Sequence, residues 1–226
     1  MGRTARAAAG LCPAWHRTAH CGARYGWSNQ PSATGRMMEA MQTAATLTAE
    51  EFYHLPNPIE GGKMELVCGR VVIMSPVGRP HSTTARRILT ALDPFVDAHN
   101  LGELHIELGF ILSRRPDSVR APDVALMSPG QLERAGEWET FFDGPPALAA
   151  EVYSPEDRDR EVRAKIREYL AAGTARVWDV RPREKTVTVY HQDGTIRERR
   201  PGDALNSGDA GFAVEGFTLS LDSLFA

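Results

Sequence analysis

The sequence lacks most of the features that would place it in a specialised class. It has three cysteines in 226 residues, at positions 12, 21 and 68. That is too few for a disulfide framework and fits a reducing compartment, the cytoplasm. No run approaches the ~20 consecutive apolar residues that a membrane-spanning helix needs, which excludes a helical membrane protein. Beyond residue 46 there is no internal repeat and no low-complexity tract. What remains is an ordinary globular composition, 42% hydrophobic and 24% charged, in a chain long enough to bury a core without staples.

Acid is missing from one end only. Residues 1–38 carry five arginines and no Asp or Glu, so the remainder holds 21 basic against 29 acidic residues, a net −8. A body that acidic does not bind nucleic acid through bulk charge. Contact with a polyanion needs a local basic patch and help from a metal. Residues 1–46 are rich in Ala, Gly, Arg and Ser, without helical or strand periodicity. The composition resembles a transit peptide. The simpler reading is a disordered tail, or leader translated from an upstream start, since Met37, Met38 and Met41 could each begin a shorter chain. Cys12, His16, His20 and Cys21 match no standard zinc module in their spacing.

Residues 47–226 read as the folded part. Thr48 with Glu51 makes a capping box for a short helix through Leu55. Met64–Met74 reads as two strands around Gly69. Ile88, Leu92, Phe95 and Val96 are spaced for a helix from Pro80 to His99, stopped by Asn100 and Gly102. Strands are expected over Glu103–Ser113, Ala121–Met127 and Ala147–Tyr153, with a long surface loop over Ser128–Pro146. Ser154 as N-cap and Gly173 as C-terminal stop bound a helix over Pro155–Ala172. A strand over Ala175–Val180, a hairpin around Asp193-Gly194 and an alternating tail complete the chain. The order implies one mixed α/β sheet covered by the two long helices.

Three residues stand out chemically. Glu151 lies in the apolar run Ala147–Tyr153, and a buried carboxylate needs a cation or strong donors. It either meets one there or sits at a strand end near solvent. Asp123 follows Pro122, which marks a strand entrance at an edge or bulge. Two acids on neighbouring strands can share one cation, and oxygen ligands suit Mg²⁺ or Mn²⁺ rather than zinc. Lys165 lies at about −60° on a helical wheel centred on Val162, at the margin of the buried face formed with Ile166 and Tyr169. Its ammonium either reaches the sheet or snorkels to water.

Pro122-Asp123, then Glu151-Val152-Tyr153-Ser154-Pro155, then Lys165 with Tyr169 resembles the Uma2 family within the PD-(D/E)xK nuclease superfamily. Glu65-Leu66 with Gly69, His81 and Val177-Trp178 are similar to further features of that family. The likeness runs from Leu47 to Phe225. It implies a restriction-endonuclease-like mixed sheet flanked by helices, with an N-terminal hairpin and a C-terminal β extension. The implied activity is Mg²⁺- or Mn²⁺-dependent endonucleolytic hydrolysis of phosphodiesters in DNA. The resemblance assigns the metal to Asp123, Glu151 and the Val152 carbonyl, and catalysis to these acids with Lys165. The superfamily's lysine normally stands two residues after the second acid, where this chain has Tyr153, which points to Lys165 as the migrated lysine. Arg181 stands where relatives often carry an acid.

Other residues leave alternatives open. Glu65 either joins the catalytic group or is a surface residue of its hairpin. His81 either touches phosphate or caps its helix. Arg120 and Arg163, with Arg114, Arg115, Arg158, Arg160 and Arg167, could supply the basic patch that contacts substrate, or face water. Trp138 and Phe141-Phe142 are a substrate wall or anchors of their loop. A homodimer is compatible with the reading. The competing function is a non-hydrolytic nucleic-acid-binding or assembly module that keeps the nuclease fold.

Overall fold

The computed structural model describes residues 46–56, 62–136, 138–155 and 157–226. The N-terminal extension and its Cys/His group, expected over 1–46, lie outside the described residues apart from Thr46. Thr48 caps α1 (Ala49–Tyr53): its hydroxyl accepts from Glu51 N–H at 3.1 Å, and the Glu51 carboxylate accepts from Thr48 N–H at 2.8 Å. β1 (Lys63–Val67) and β2 (Arg70–Met74) form an antiparallel hairpin. Its two turn residues, Cys68 and Gly69, both take positive φ, 49° and 75°, as a two-residue hairpin loop demands.

α2 (Arg79–Ala98) buries Ile88, Leu92 and Val96, the stripe its spacing predicts. A Cβ at Gly102, beyond its end, would collide with the Met127 carbonyl. Next come β3 (Glu103–His105), β4 (Phe110–Ser113), β5 (Ser118–Arg120) and β6 (Val124–Met127). The sequence predicts two strands over this stretch: Glu103–Ser113 is broken into β3 and β4, whereas Ala121–Met127 holds only β6 and β5 precedes it. β3 and β6 belong to one sheet while β4 and β5 belong to another. The chain therefore changes sheet at residues 106–109, where Glu107 has φ 53°, and again at 121–123.

The predicted long loop contains α3 (Pro129–Ala135) and the short β7 (Phe142–Asp143). Its aromatics are anchors, not a substrate wall: Phe142 is buried against Phe110 and Trp138, and Phe141 stacks on Phe52. β8 (Leu148–Val152) leads to α4 (Asp159–Ala172), which starts four residues later than the sequence suggests. Asp157 accounts for the delay. Its carboxylate accepts from Ser154 N–H at 2.7 Å, and its carbonyl accepts from the Tyr153 hydroxyl at 2.6 Å, so turn bonds replace the first helical turn. β9 (Arg176–Arg181), β10 (Thr186–His191) and β11 (Ile196–Arg199) follow, then β12 (Ala204–Asn206), α5 (Ser207–Ala210), β13 (Thr218–Ser220) and α6 (Leu221–Leu224).

The fold is mixed α/β, as expected, but built on two main sheets instead of one. The larger has the order β11-β10-β9-β8-β6-β3, with β8 and β9 parallel and the other pairs antiparallel. The second runs β2-β1-β5-β4-β7, and β12 pairs with β13 alone. Alternation separates the faces of the larger sheet. Val124, Leu126, Leu148, Ala150 and Val152 join α2 and the C-terminal segment in one core. Ala149 and Val177 pack against Ile166 and Tyr169 of α4 on the other face.

The first core sets the stability of the sheet. Leu92 is fully buried while Ile196 is 61% exposed. Leu92→Ala should lower the unfolding free energy by about 2–5 kcal/mol, and Ile196→Ala should change it by no more than ~0.5 kcal/mol. Urea denaturation of both variants checks the contrast, and equal losses would mean this core is not where the fold is held.

Candidate active site

β6 and β8 pair with Val124 opposite Ala150, and extending that register by one residue sets Asp123 opposite Glu151. Because side chains alternate along a strand, both carboxylates leave the sheet on the α4 face. β1 faces them from the second sheet, with Lys63 and Glu65 two residues apart and hence on one side of the strand. Lys165 projects from α4 into the gap. Its ammonium lies 3.1 Å from Glu151 Oε2 and 3.2 Å from Glu65 Oε1.

Each carboxylate has its own set of partners. Asp123 Oδ2 accepts the Val152 N–H at 2.8 Å and lies 3.1 Å from His81 Nε2, while Oδ1 is 3.3 Å from Lys63 Nζ. Glu151 Oε1 accepts the Tyr169 hydroxyl at 2.8 Å. Glu65 accepts Arg120 Nη1 at 2.8 Å and the Ala121 N–H at 3.1 Å. Arg120 Nε in turn donates to Glu168 at 2.7 Å.

The electrostatics differ accordingly. Burial opposes ionisation of Asp123, but the His81 hydrogen bond, Lys63 and the Val152 N–H outweigh it and hold the carboxyl well below the usual carboxylate range. Glu65 is likewise desolvated, yet Lys165, Arg120 and Lys63 bring it down to about 2. Glu151 goes the other way. Burial, with the like charges of Asp123 and Glu65, prevails over Lys165 and Lys63 and raises its pKa. Lys165 is desolvated too, but Glu151 and Glu65 keep it charged, with its pKa raised. Burial and the neighbouring Glu151 push the Tyr169 phenol well above its ordinary value, so it stays a neutral donor.

Asp123, Glu151, Lys165 and Glu65 are thus brought together, and Val152 contributes its N–H to Asp123. Glu65 is not a surface residue of its hairpin: it is 1% exposed. His81 does not cap α2, which has no side-chain cap; it turns inward to Asp123. Arg120 is no substrate arm, because it is buried between Glu65 and Glu168. Arg163 is exposed on α4, roughly 160° around the helix from Lys165, and stays outside the cluster.

Sequence reasoning missed Lys63, Tyr169 as a partner of Glu151, Glu168 and Asp179. Lys63 could have been found from its two-residue spacing to Glu65. Asp179 carries the same signal as Glu151, an acid in an apolar strand. It pairs with Glu151 in the β8–β9 register and is bound by Arg181 at 3.1 Å. Arg181 also contacts Asp159 at 2.9 Å and lies 4.5 Å over the Tyr153 ring.

Among the described residues no three His, Cys, Asp or Glu side chains form a ready metal cage. The donor chemistry nevertheless fits a hard divalent cation: two carboxylates face each other across adjacent strands. Burial first, and then the like charges of Asp123 and Glu65, raise the pKa of Glu151, and a cation bound beside it would favour its ionised form.

The Uma2 family, described as "putative restriction endonuclease", matches residues 49–222. The chain belongs to the Uma2 family. No curated protein matches it. A crystal structure of "a putative nuclease belonging to DUF820" from Anabaena variabilis shares the Uma2 chain's fold, with a TM-score of 0.65 at 21% identity, over 79% of this chain and 97% of that one.

Glu65 should leave a mark on acid stability. Its folded pKa of about 2 lies below the ordinary ~4.3 of an unfolded Glu. Its contribution is therefore present above about pH 4.3 and lost as pH falls toward 2. Urea midpoints across this range should fall steeply for the native chain. Glu65→Gln should be about 3–5 kcal/mol less stable at pH 7, because it strands buried cations, and its acid limb should be shallower. An unaltered limb would assign the acid sensitivity elsewhere.

Proposed function

We propose that this Uma2 chain is a metal-dependent endonuclease that hydrolyses phosphodiester bonds in DNA. The observation that carries the reading is the buried cluster in which Asp123 and Glu151 face each other beside Lys165. A buried pair of facing carboxyl groups suits a cation and, next to it, a phosphate. Asp123, Glu151 and the Val152 carbonyl would hold Mg²⁺ or Mn²⁺. Such an ion lowers the pKa of a bound water and neutralises charge on the attacked phosphate. Lys165 presents its ammonium to the water or to the developing negative charge. Glu65 and Glu151 fix that ammonium from two sides, Tyr169 orients Glu151, and His81 orients Asp123. We place the protein in the cytoplasm; a homodimer, compatible with this reading, would present one site per strand of a duplex.

One observation favours a second reading, a nucleic-acid-binding or assembly module without hydrolysis. Tyr153 occupies the position usual for the superfamily's lysine, and its hydroxyl is engaged with the Asp157 carbonyl. Supercoiled plasmid, linear duplex, single strands and RNA, each with Mg²⁺, Mn²⁺ or EDTA, separate the two. The nuclease cleaves DNA with metal and not with EDTA. Lys165→Met should cleave about 10²–10³-fold more slowly. It also strands two buried carboxylates at a cost of about 3–5 kcal/mol, so rates are compared at a temperature where both proteins are folded. Absence of cleavage in every arm leaves the binding module, and equal rates for the two proteins remove Lys165 from the chemistry.

A further inference from the structure

We propose that Lys63 is a displaceable counterion: it closes the acidic pair while no divalent cation is present, yields Asp123 Oδ1 to one, and then faces a phosphate of the nucleic acid. The inference deepens the nuclease reading and rests on it. The two oxygens of Asp123 are held very differently. Oδ2 has two rigid partners, the Val152 N–H at 2.8 Å and His81 Nε2 at 3.1 Å. One belongs to a strand backbone, and the other is an imidazole only 8% exposed. For Oδ1 the only partner seen among the described residues is Lys63 Nζ, at the longer distance of 3.3 Å. That partner sits on a flexible four-carbon stem, so Oδ1 is the oxygen that changes hands most easily.

Position singles out the same residue. Besides touching Asp123, the Lys63 ammonium acts electrostatically on Glu65 and Glu151. It therefore stands among the carboxylates that would attract a divalent ion, and the two positive charges compete for the same place. Lys165 cannot play this part. It is pinned between Glu151 and Glu65 at 3.1 and 3.2 Å, and leaving would strand both. Lys63 has one close carboxylate contact, so its ammonium can leave without stranding a second acid; its side chain is 16% exposed against 15% for Lys165, so the number of contacts, not exposure, separates the two lysines. An ammonium freed there, beside an acidic pair now neutralised, meets the next available anion, the backbone of the substrate.

Two measurements on the full chain test this. In the first, Mn²⁺ is titrated calorimetrically into metal-stripped protein without nucleic acid. Lys63→Met keeps the stem and removes the competitor, so Mn²⁺ should bind about ten-fold more tightly, the equivalent of ~1.4 kcal/mol. Lys63→Gln gives the same comparison if the Met variant does not fold. In the second, binding to a duplex oligonucleotide is followed across salt concentrations, with Ca²⁺ replacing Mg²⁺ or with EDTA. Losing one phosphate contact should reduce the salt slope by about 0.9 in the variant with Ca²⁺, and leave it unchanged with EDTA. Equal or weaker Mn²⁺ binding in the folded variants would show a permanent structural lysine and overturn the proposal. An unaltered slope with Ca²⁺ would overturn the transfer to phosphate. If native protein takes up no Mn²⁺ and cleaves nothing, the nuclease reading falls and this one with it. If it does both and the variants match it, only the role of Lys63 falls.

Discussion

Lys165 reaches Glu151 on one sheet and Glu65 on the other, at 3.1 and 3.2 Å, from a helix that belongs to neither. Through these contacts one ammonium ties α4, β8 and β1 together. Burying these ions costs several kcal/mol each, and their attraction offsets the cost only if all remain in place. The arrangement therefore has little tolerance for partial loss. Removing any member leaves an unpaired charge in the interior. The site and the packing of the two sheets against α4 are for this reason one cooperative structure.

Neutral and cationic neighbours then divide the acids into different kinds. Glu65 faces two cations and a backbone N–H and stays ionised. Glu151 shares one lysine with Glu65, accepts a phenol, and faces two like charges, so its proton is held more tightly. Asp123 is fixed by a strand N–H and an imidazole. Environment, not residue type, separates these acids, which is how neighbouring carboxyls come to play unlike roles. Burial alone would have pushed all three in the same direction.

Much of this was legible in the sequence, and the illegible part has a physical reason. Glu151, Asp123 and Lys165 each violate the pattern around them: an acid in an apolar strand, an acid after a proline, a lysine on the edge of a buried helical stripe. Such violations stand out because the surrounding periodicity is strong. Arg120, Glu168 and Tyr169 follow their local patterns, and only a fold brings Arg120 to Glu168 or Tyr169 to Glu151. The helices and most strands were readable from spacing and caps. The division into two sheets was not, because Glu103–Ser113 and Ala121–Met127 keep an unbroken extended character across the points where the chain changes sheet. The start of α4 was misplaced because Asp157 competes for the groups that a first helical turn would use. Lys63 was overlooked although its spacing to Glu65 was on view, since a lone lysine at a strand end carries no anomaly of its own.

The crossing at Ala121-Pro122-Asp123 has a consequence for how such a chain can change over time. Three residues carry it from β5 to β6, and the Pro122 carbonyl also accepts the Glu107 N–H at 3.1 Å, so the other crossing is tied to this one. With alternation setting which face a side chain takes, one added or deleted residue here would turn Asp123 toward the α2 core while leaving Glu151 where it is. Insertions and deletions should accumulate instead in the exposed Asp193-Gly194 turn, where a Cβ at Gly194 would meet nothing. The length of this short connector, rather than the identity of its residues alone, is what descent must preserve.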